Sequence, residues 1–197
     1  MNGAGLRHML VELEPRLADL VDFVYPNAPH TAAEVSVLGL ASLMGGFRAK
    51  PPNLEWWNAS DDGRQYRGWP ASLDALRAEA RAGTRTAVLG FSQGAAVAAA
   101  LAASSQAGGF PPLDFVVLVA GFPPRAEELA PLFTEPVATP SLHVWDEADP
   151  FARHSPRLLE CFAPVSREKV EWHGRHTVPT RGPAADALVD FIRRHAA

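Results

Sequence analysis

The sequence predicts an α/β fold in which a mostly parallel sheet is flanked by helices. Three observations carry that expectation. Short β-rich apolar runs alternate along the chain with stretches of helical pattern, the order that βαβ units require. The runs are close to continuously apolar rather than alternating, as in strands covered on both faces. One run passes directly through a glycine-flanked turn into an alanine-rich helix, and such a turn lies at the carboxyl end of a strand, where sheets of this kind place their sites.

In chain order, residues 21–25 (Val-Asp-Phe-Val-Tyr) form the first expected strand and stop at Pro26. Residues 27–44 are mostly apolar without a clear period. Residues 47–68 are polar, punctuated by Gly and Pro, and carry Trp56-Trp57. A stretch that long is uncommon unless functional, so it is read as an ordered loop. A helix enters at Pro70, sets Leu73, Leu76 and Ala80 on one face, and closes at Gly83. Strands follow at 86–91, 115–120, 141–145 and 169–173, with helices at 94–104 and 184–195. The last of these places Ala187, Leu188, Phe191 and Ile192 on one face. With no internal repeat or linker, residues 1–197 are expected to form one domain with an ample core.

Composition removes several functional classes. The 197 residues are 47% hydrophobic and 20% charged, with 18 Lys+Arg against 22 Asp+Glu and a formal charge of −4. Basic residues are scattered, so neither a nucleic-acid face nor a polybasic membrane patch is expected. No apolar segment approaches the roughly 18 residues of a membrane span, the nearest run being the alanine-rich 95–103. The first residues show no basic-then-apolar leader, and a soluble cytoplasmic protein is expected. The single cysteine, Cys161, excludes an internal disulfide and a Cys-based zinc cluster, and reads as a small buried hydrophobe.

The chemistry centres on Gly90-Phe-Ser92-Gln-Gly94. Strand before and helix after are the context of a nucleophile elbow, where a tight turn lifts the serine hydroxyl out of the sheet. Glycines are expected on both sides because side chains there would clash. The following helix aims its positive N-terminal end at the site, so the Gln93 amide is the expected oxyanion donor. A serine hydroxyl needs a base, and the base needs a carboxylate to hold its tautomer. In this class the chain order is Ser, acid, His. Asp146, Glu147 and Asp149 compete for the acid after the strand at 141–145, with Asp149 favoured and Asp146 able to serve as a turn cap. His176 is favoured as base. His173 lies nearer its strand, His143 inside one, and His154 and His30 in loops. A His173-x-x-His176 metal pair lacks partners at ligand spacing, so no metal is expected. Trp56, Trp57 and Phe122 are candidate walls of an acyl pocket, with plain packing beneath a loop as the alternative for each.

Taken together, these strings resemble the FSH-type serine hydrolases, small α/β-hydrolases. The shared motifs are Gly-Phe-Ser92-Gln-Gly-Ala, Tyr25-Pro-Asn-Ala-Pro-His30, Trp56-Trp57, Ala120-Gly-Phe122, Ser141-Leu-His-Val-Trp-Asp-Glu-Ala-Asp149-Pro and His173-Gly-Arg-His176-Thr-Val-Pro. They run in order over nearly the whole chain. The resemblance implies a Ser92, Asp149, His176 triad that cleaves carboxylic esters or thioesters of small molecules through an acyl-enzyme, without a cofactor. It says nothing of oligomeric state. The acyl-protein thioesterase and carboxylesterase group shares the elbow and is the nearest alternative, while a catalytically impaired binding protein is the alternative outside enzymes.

Three departures from the family pattern stand out. Asp146 replaces a common Gly before the acid, and Arg175 interrupts a usual Gly-Gly-His, which would alter the loop geometry or place a cation near the site. The third is larger. Family members begin with a strand ending in a Leu-His-Gly-type turn that supplies a second oxyanion amide, whereas Met1-Asn-Gly-Ala-Gly5 resembles the segment just after that turn. The absent strand would lie between residues 21–25 and the elbow strand, leaving two open edges. A start upstream of Met1, a shifted 21–25 segment or another chain would fill the gap, the first being favoured.

Overall fold

Residues 1–32, 51–80 and 84–197 are described by the computed structural model of the chain. Helix α1 (Gly3–Leu10) opens it. Asn2 accepts the Gly5 amide on its side-chain oxygen at 2.9 Å, a cap that satisfies one of the orphan donors of the first turn. Helix α2 (Glu14–Leu17) follows. Two short antiparallel ladders then frame the segment before the next helix. One joins β1 (His30–Thr31) to β2 (Leu54–Glu55), and the other joins β3 (Asn58–Ala59) to β4 (Tyr66–Arg67). The expected ordered loop over 47–68 is therefore ordered by ladders from 54 onward, while 47–50 and most of 27–44 lie outside the described residues. Helix α3 (Trp69–Glu79) has Pro70 in its first turn, and the expected stop at Gly83 likewise falls outside.

The sheet forms from β5 (Val88–Phe91), β6 (Val116–Val119), β7 (Ser141–Trp145) and β8 (Arg167–Glu171), all parallel and in that spatial order. Its registers align Val88 with Val116, Val116 with Ser141, and Ser141 with Arg167. Helices α4 (Gln93–Gln106), α5 (Ser155–Glu160) and α6 (Gly182–Ala196) follow β5, β7 and β8. A 3-10 segment, Glu127–Phe133, lies between β6 and β7. Strand period sorts the core. Val117 and Val119 pack with Leu10, Leu17, Leu188 and Phe191 on one face. Val116 and Leu118 pack with alanines of α4, Leu158 and Phe162 on the other. Helix α4 is buried almost all round because its far side meets Trp57, Tyr66, Trp69 and Phe110. Its alanines are what let it come this close, since a Cβ added to Gly121 would lie 2.8 Å from that of Ala95.

Two expectations need correction. Residues 21–25 are not a strand. Val21, Phe23 and Tyr25 pack on the core while Val24 is 54% exposed, so the alternation is that of a strand, but none of the described residues offers it a ladder. The segment is held instead by the Tyr25 hydroxyl donating to Glu14 at 2.6 Å, with the Tyr25 carbonyl lying against Gly3. The last strand is β8, two residues earlier than 169–173, and it is a half-exposed edge whose Lys169 pairs with Glu171. Among the described residues β5, the strand that leads into the elbow, has a ladder partner on one side only.

Candidate active site

Parallel strands place their carboxyl ends on one rim of the sheet, and the three sequence candidates arrive there from β5, β7 and β8. Ser92 sits at the turn between β5 and α4 with φ 56° and ψ −118°, a sparsely populated conformation for a residue with a side chain. Its amide donates to the Val119 carbonyl at 2.9 Å, and its carbonyl accepts from Ala95 at 3.0 Å, which locks the turn to both elements. The expectation of two obligatory glycines is half right. A Cβ on Gly90 would stand 2.1 Å from the Gly94 carbonyl oxygen, whereas one on Gly94 would meet nothing within 4 Å. Gly94 faces open space, so sterics do not require it.

The structure brings Ser92, His176 and Asp149 into one hydrogen-bonded chain. His176 Nε2 lies 3.1 Å from Ser92 Oγ, and His176 Nδ1 lies 2.7 Å from Asp149 Oδ2. The imidazole is fully buried between the rings of Phe91 and Phe151, at centroid distances of 4.8 and 5.3 Å. Asp149 is also buried, and its second oxygen accepts the Phe151 amide at 2.8 Å. The other candidates lie elsewhere. Glu147 accepts from the Trp145 indole at 2.9 Å, His173 is exposed, and His30 contacts the Gly68 carbonyl. His143 is buried against Phe162, and its burial, with Arg167 nearby, pushes its pKa down to about 3, so it is a neutral packing residue.

Asp146 has a role that spacing did not reveal. One oxygen accepts the Ala148 amide at 2.8 Å, the turn cap allowed by the sequence. The other accepts the amides of Gly174 and Arg175, at 2.9 and 2.5 Å, tying the loop of the acid to the loop of the histidine. The amides of Ala148, Arg175 and Gly174 hold this carboxyl below the usual carboxylate range. Arg175 has φ 57°, and its side chain is exposed, away from the cavity lining. Of the two effects expected of Arg175, it bears on the loop geometry through its left-handed backbone and places no cation on the cavity lining.

Ser92 opens into a cavity of about 1400 Å³ whose lining includes Trp56, Trp57 and Phe122. Trp57 is also stacked on Tyr66 at 4.1 Å and set edge-on to Trp69, so the packing alternative holds for it as well. The Gln93 side chain was not foreseen. Its amide nitrogen donates to the Trp57 carbonyl at 3.1 Å and its oxygen accepts the Trp56 amide at 2.8 Å. The residue after the serine thus clamps the tryptophan pair to the elbow. These partners are 36 and 37 residues apart, beyond any local pattern. Among the described residues no group of three or more His, Cys, Asp or Glu could hold a metal ion, and no helix is long and apolar enough to cross a membrane.

Parallel sheet, elbow turn and covering helices define the class as an α/β-hydrolase fold. Comparison with known proteins narrows it. Residues 1–188 match the family model described as Serine hydrolase (FSH1), and the chain belongs to that serine hydrolase family. Esterase OVCA2 of Xenopus tropicalis is 33% identical over 187 residues, covering 89% of this chain and 79% of that protein. Esterase OVCA2 of Bos taurus is 27% identical over 208 residues, covering 98% and 91%. Among solved structures, Zea mays acyl-protein thioesterase 2 superposes with a TM-score of 0.59 at 20% identity over 100% of this chain and 90% of its own, a likeness of fold.

Proposed function

We propose that this serine hydrolase cleaves carboxylic esters or thioesters through Ser92, His176 and Asp149. The observation that carries the reading is the hydrogen-bonded chain from Asp149 through the buried His176 to a serine on a strained elbow. His176 takes the Ser92 proton as Oγ attacks the acyl carbon, and Asp149 stabilises the imidazolium that forms. The Gln93 amide, at the positive end of α4, binds the oxyanion. The alcohol or thiol leaves with the proton from His176. Water then repeats the sequence on the acyl-enzyme, releasing the carboxylic acid and returning the proton to Ser92. Trp56, Trp57 and Phe122 offer apolar surface for the acyl group. The esterase names of the relatives agree with this chemistry.

A second reading, a catalytically impaired binding protein, draws on one observation. The elbow strand has a partner on one side only among the described residues, and Gln93 is the single oxyanion donor identified. Loss of one such donor costs on the order of 10²–10³ in turnover. Labelling with a fluorophosphonate separates the two. Covalent labelling of wild type that vanishes in Ser92→Ala supports the hydrolase. Folded protein that takes no label leaves only the binding reading.

A further inference from the structure

Three arginines lie on two neighbouring segments of the cavity lining, while its acidic residues, Asp22, Glu55, Glu79 and Asp114, belong to other segments. Arg125 ends the segment that leaves β6, and Arg153 and Arg157 belong to the turn and helix that follow β7. The two segments are fastened together. Ser155 Oγ donates to the Gly121 carbonyl at 2.9 Å, and Leu158 packs so closely on Gly121 that a Cβ there would lie 2.5 Å from it. Arg125 is further held by its backbone amide, which donates to the Tyr66 hydroxyl at 2.9 Å. All three arginines and His154 line the cavity into which Ser92 opens. The rim is close to the chemistry, since Phe151, whose ring lies 5.3 Å from that of His176, is two residues from Arg153.

These guanidiniums are exposed, and among the described residues none of the three is ion-paired with a carboxylate. Arg16, Arg85, Arg181, Arg193 and Arg194 each hold one. In a chain of net charge −4, an unpaired cationic cluster at a cleft repels itself and attracts anions to the cleft. His154 does not add to the charge. Burial first, and the nearby Arg153, Arg125 and Arg157 after it, hold its pKa below the usual histidine range. Arg153 Nε donates to His154 Nε2 at 3.1 Å, which leaves the neutral ring its proton on Nδ1.

We infer that the substrates of this site carry an anionic group away from the scissile carbonyl, and that Arg125, Arg153 and Arg157 bind it. This rests on the hydrolase reading above and names its substrate class. Guanidinium forks suit carboxylate and phosphate alike. The anion therefore comes either from a carboxylate on the acyl chain or from phosphates on a thiol leaving group.

Two matched pairs of substrates test it. Mono-4-nitrophenyl succinate is compared with 4-nitrophenyl butyrate, and butyryl-coenzyme A with the uncharged butyryl N-acetylcysteamine thioester. In at least one pair the anionic member is expected to have a kcat/KM tenfold or more above its neutral partner at low ionic strength, and the pair that does so identifies the source. That ratio should shrink as sodium chloride is raised. It should also fall several-fold in Arg125→Ala, Arg153→Ala and Arg157→Ala, through KM of the anionic member, with Arg153→Lys keeping part of it. A wild-type ratio at or below one in both pairs overturns the inference, as does a ratio unchanged in all three alanine variants. No turnover of any of the four overturns the substrate class. Absence of Ser92-dependent labelling overturns the hydrolase reading beneath it.

Discussion

Arg175 holds a left-handed backbone conformation, φ 57°, at the position just before His176. For a residue with a Cβ that costs on the order of 1–2 kcal/mol, a cost glycine would not incur. The conformation turns the Gly174 and Arg175 amides together onto one oxygen of Asp146. The two departures from the family pattern at 146 and 175 are thus partners in space, the carboxylate anchoring a turn that glycine would make without strain. Asp146→Ala is expected to loosen the loop of His176 and to lower kcat about tenfold while KM changes little. Arg175→Gly in that background should restore part of the lost thermal stability, so the two substitutions are non-additive. Steady-state kinetics and melting curves of the four proteins check this, and an Asp146→Ala variant with kcat within twofold of wild type would refute the positioning role. Asp149 acts on the histidine directly. Asp149→Asn keeps the shape but presents the imidazole in the wrong tautomer, so turnover should drop by roughly 10³–10⁴. Hydrolysis of 4-nitrophenyl butyrate measures it, and a loss under tenfold would point to a different acid.

At the scale of elements, the elbow is the junction on which everything else depends, and its two glycines are unequal. Gly90 lies under the Gly94 carbonyl, so Gly90→Ala forces β5 and α4 apart and should destabilise by about 1–3 kcal/mol or abolish folding. Gly94 sits in the first turn of a helix with open space where a Cβ would be, and Gly94→Ala should stabilise by about 0.5–1 kcal/mol. Urea unfolding of both variants tests this, and equal destabilisation by the two would show that the turn is crowded on both sides.

The elements with strong local signals were legible in the sequence: β5 to β7, the helix after Ser92, the helix entered at Pro70, and the C-terminal helix. The placement of Ser92, Asp149 and His176 at one rim of the sheet was legible too, because each residue comes after a strand. What local pattern could not show was pairing. Residues 21–25 alternate like a strand and yet find no ladder among the described residues, because a strand is defined by its neighbour. Helix α1 does carry a helical apolar period, with Leu6, Met9 and Leu10 packed on the core, but it starts on Asn2 in a run of small residues that gives no such signal. The Gln93 clamp and the Asp146 bridge join residues 28 to 37 positions apart through hydrogen bonds that spacing does not encode.

At the scale of the whole molecule, the site is carried by a sheet whose central strands, β6 and β7, are buried on both faces. Charge contributes mainly at the surface. The C-terminal helix α6 is fastened to the first helices and to β8 by Arg16–Asp186, Arg193–Asp19 and Arg194–Glu168, at 2.7–2.8 Å. Such exposed, solvent-screened pairs contribute little, so the core dominates stability. One titratable group inside that core makes the whole fold sensitive to acid. His143, in the centre of β7, has its pKa pushed down to about 3, whereas a histidine in the unfolded chain titrates near about 6.5. Between those values the unfolded chain takes up a proton that the folded protein refuses. The resulting stability is therefore full above about pH 6.5 and is lost as pH falls toward 3, with a slope of at most about 1.4 kcal/mol per pH unit. Asp146 acts in the same direction but lower. Its carboxyl lies below the usual carboxylate range, so its contribution is present above about pH 4 and fades as pH falls further. Between pH 6.5 and 4.5 His154, whose pKa is also lowered, acts in the same direction, so it is the difference between wild type and a His143 variant that reports His143. His143→Leu removes the titration whatever it costs in packing at neutral pH. Urea midpoints measured from pH 7.5 to 4.5 should fall more shallowly for His143→Leu than for wild type. Parallel curves would mean that the imidazole accepts its proton without unfolding the core.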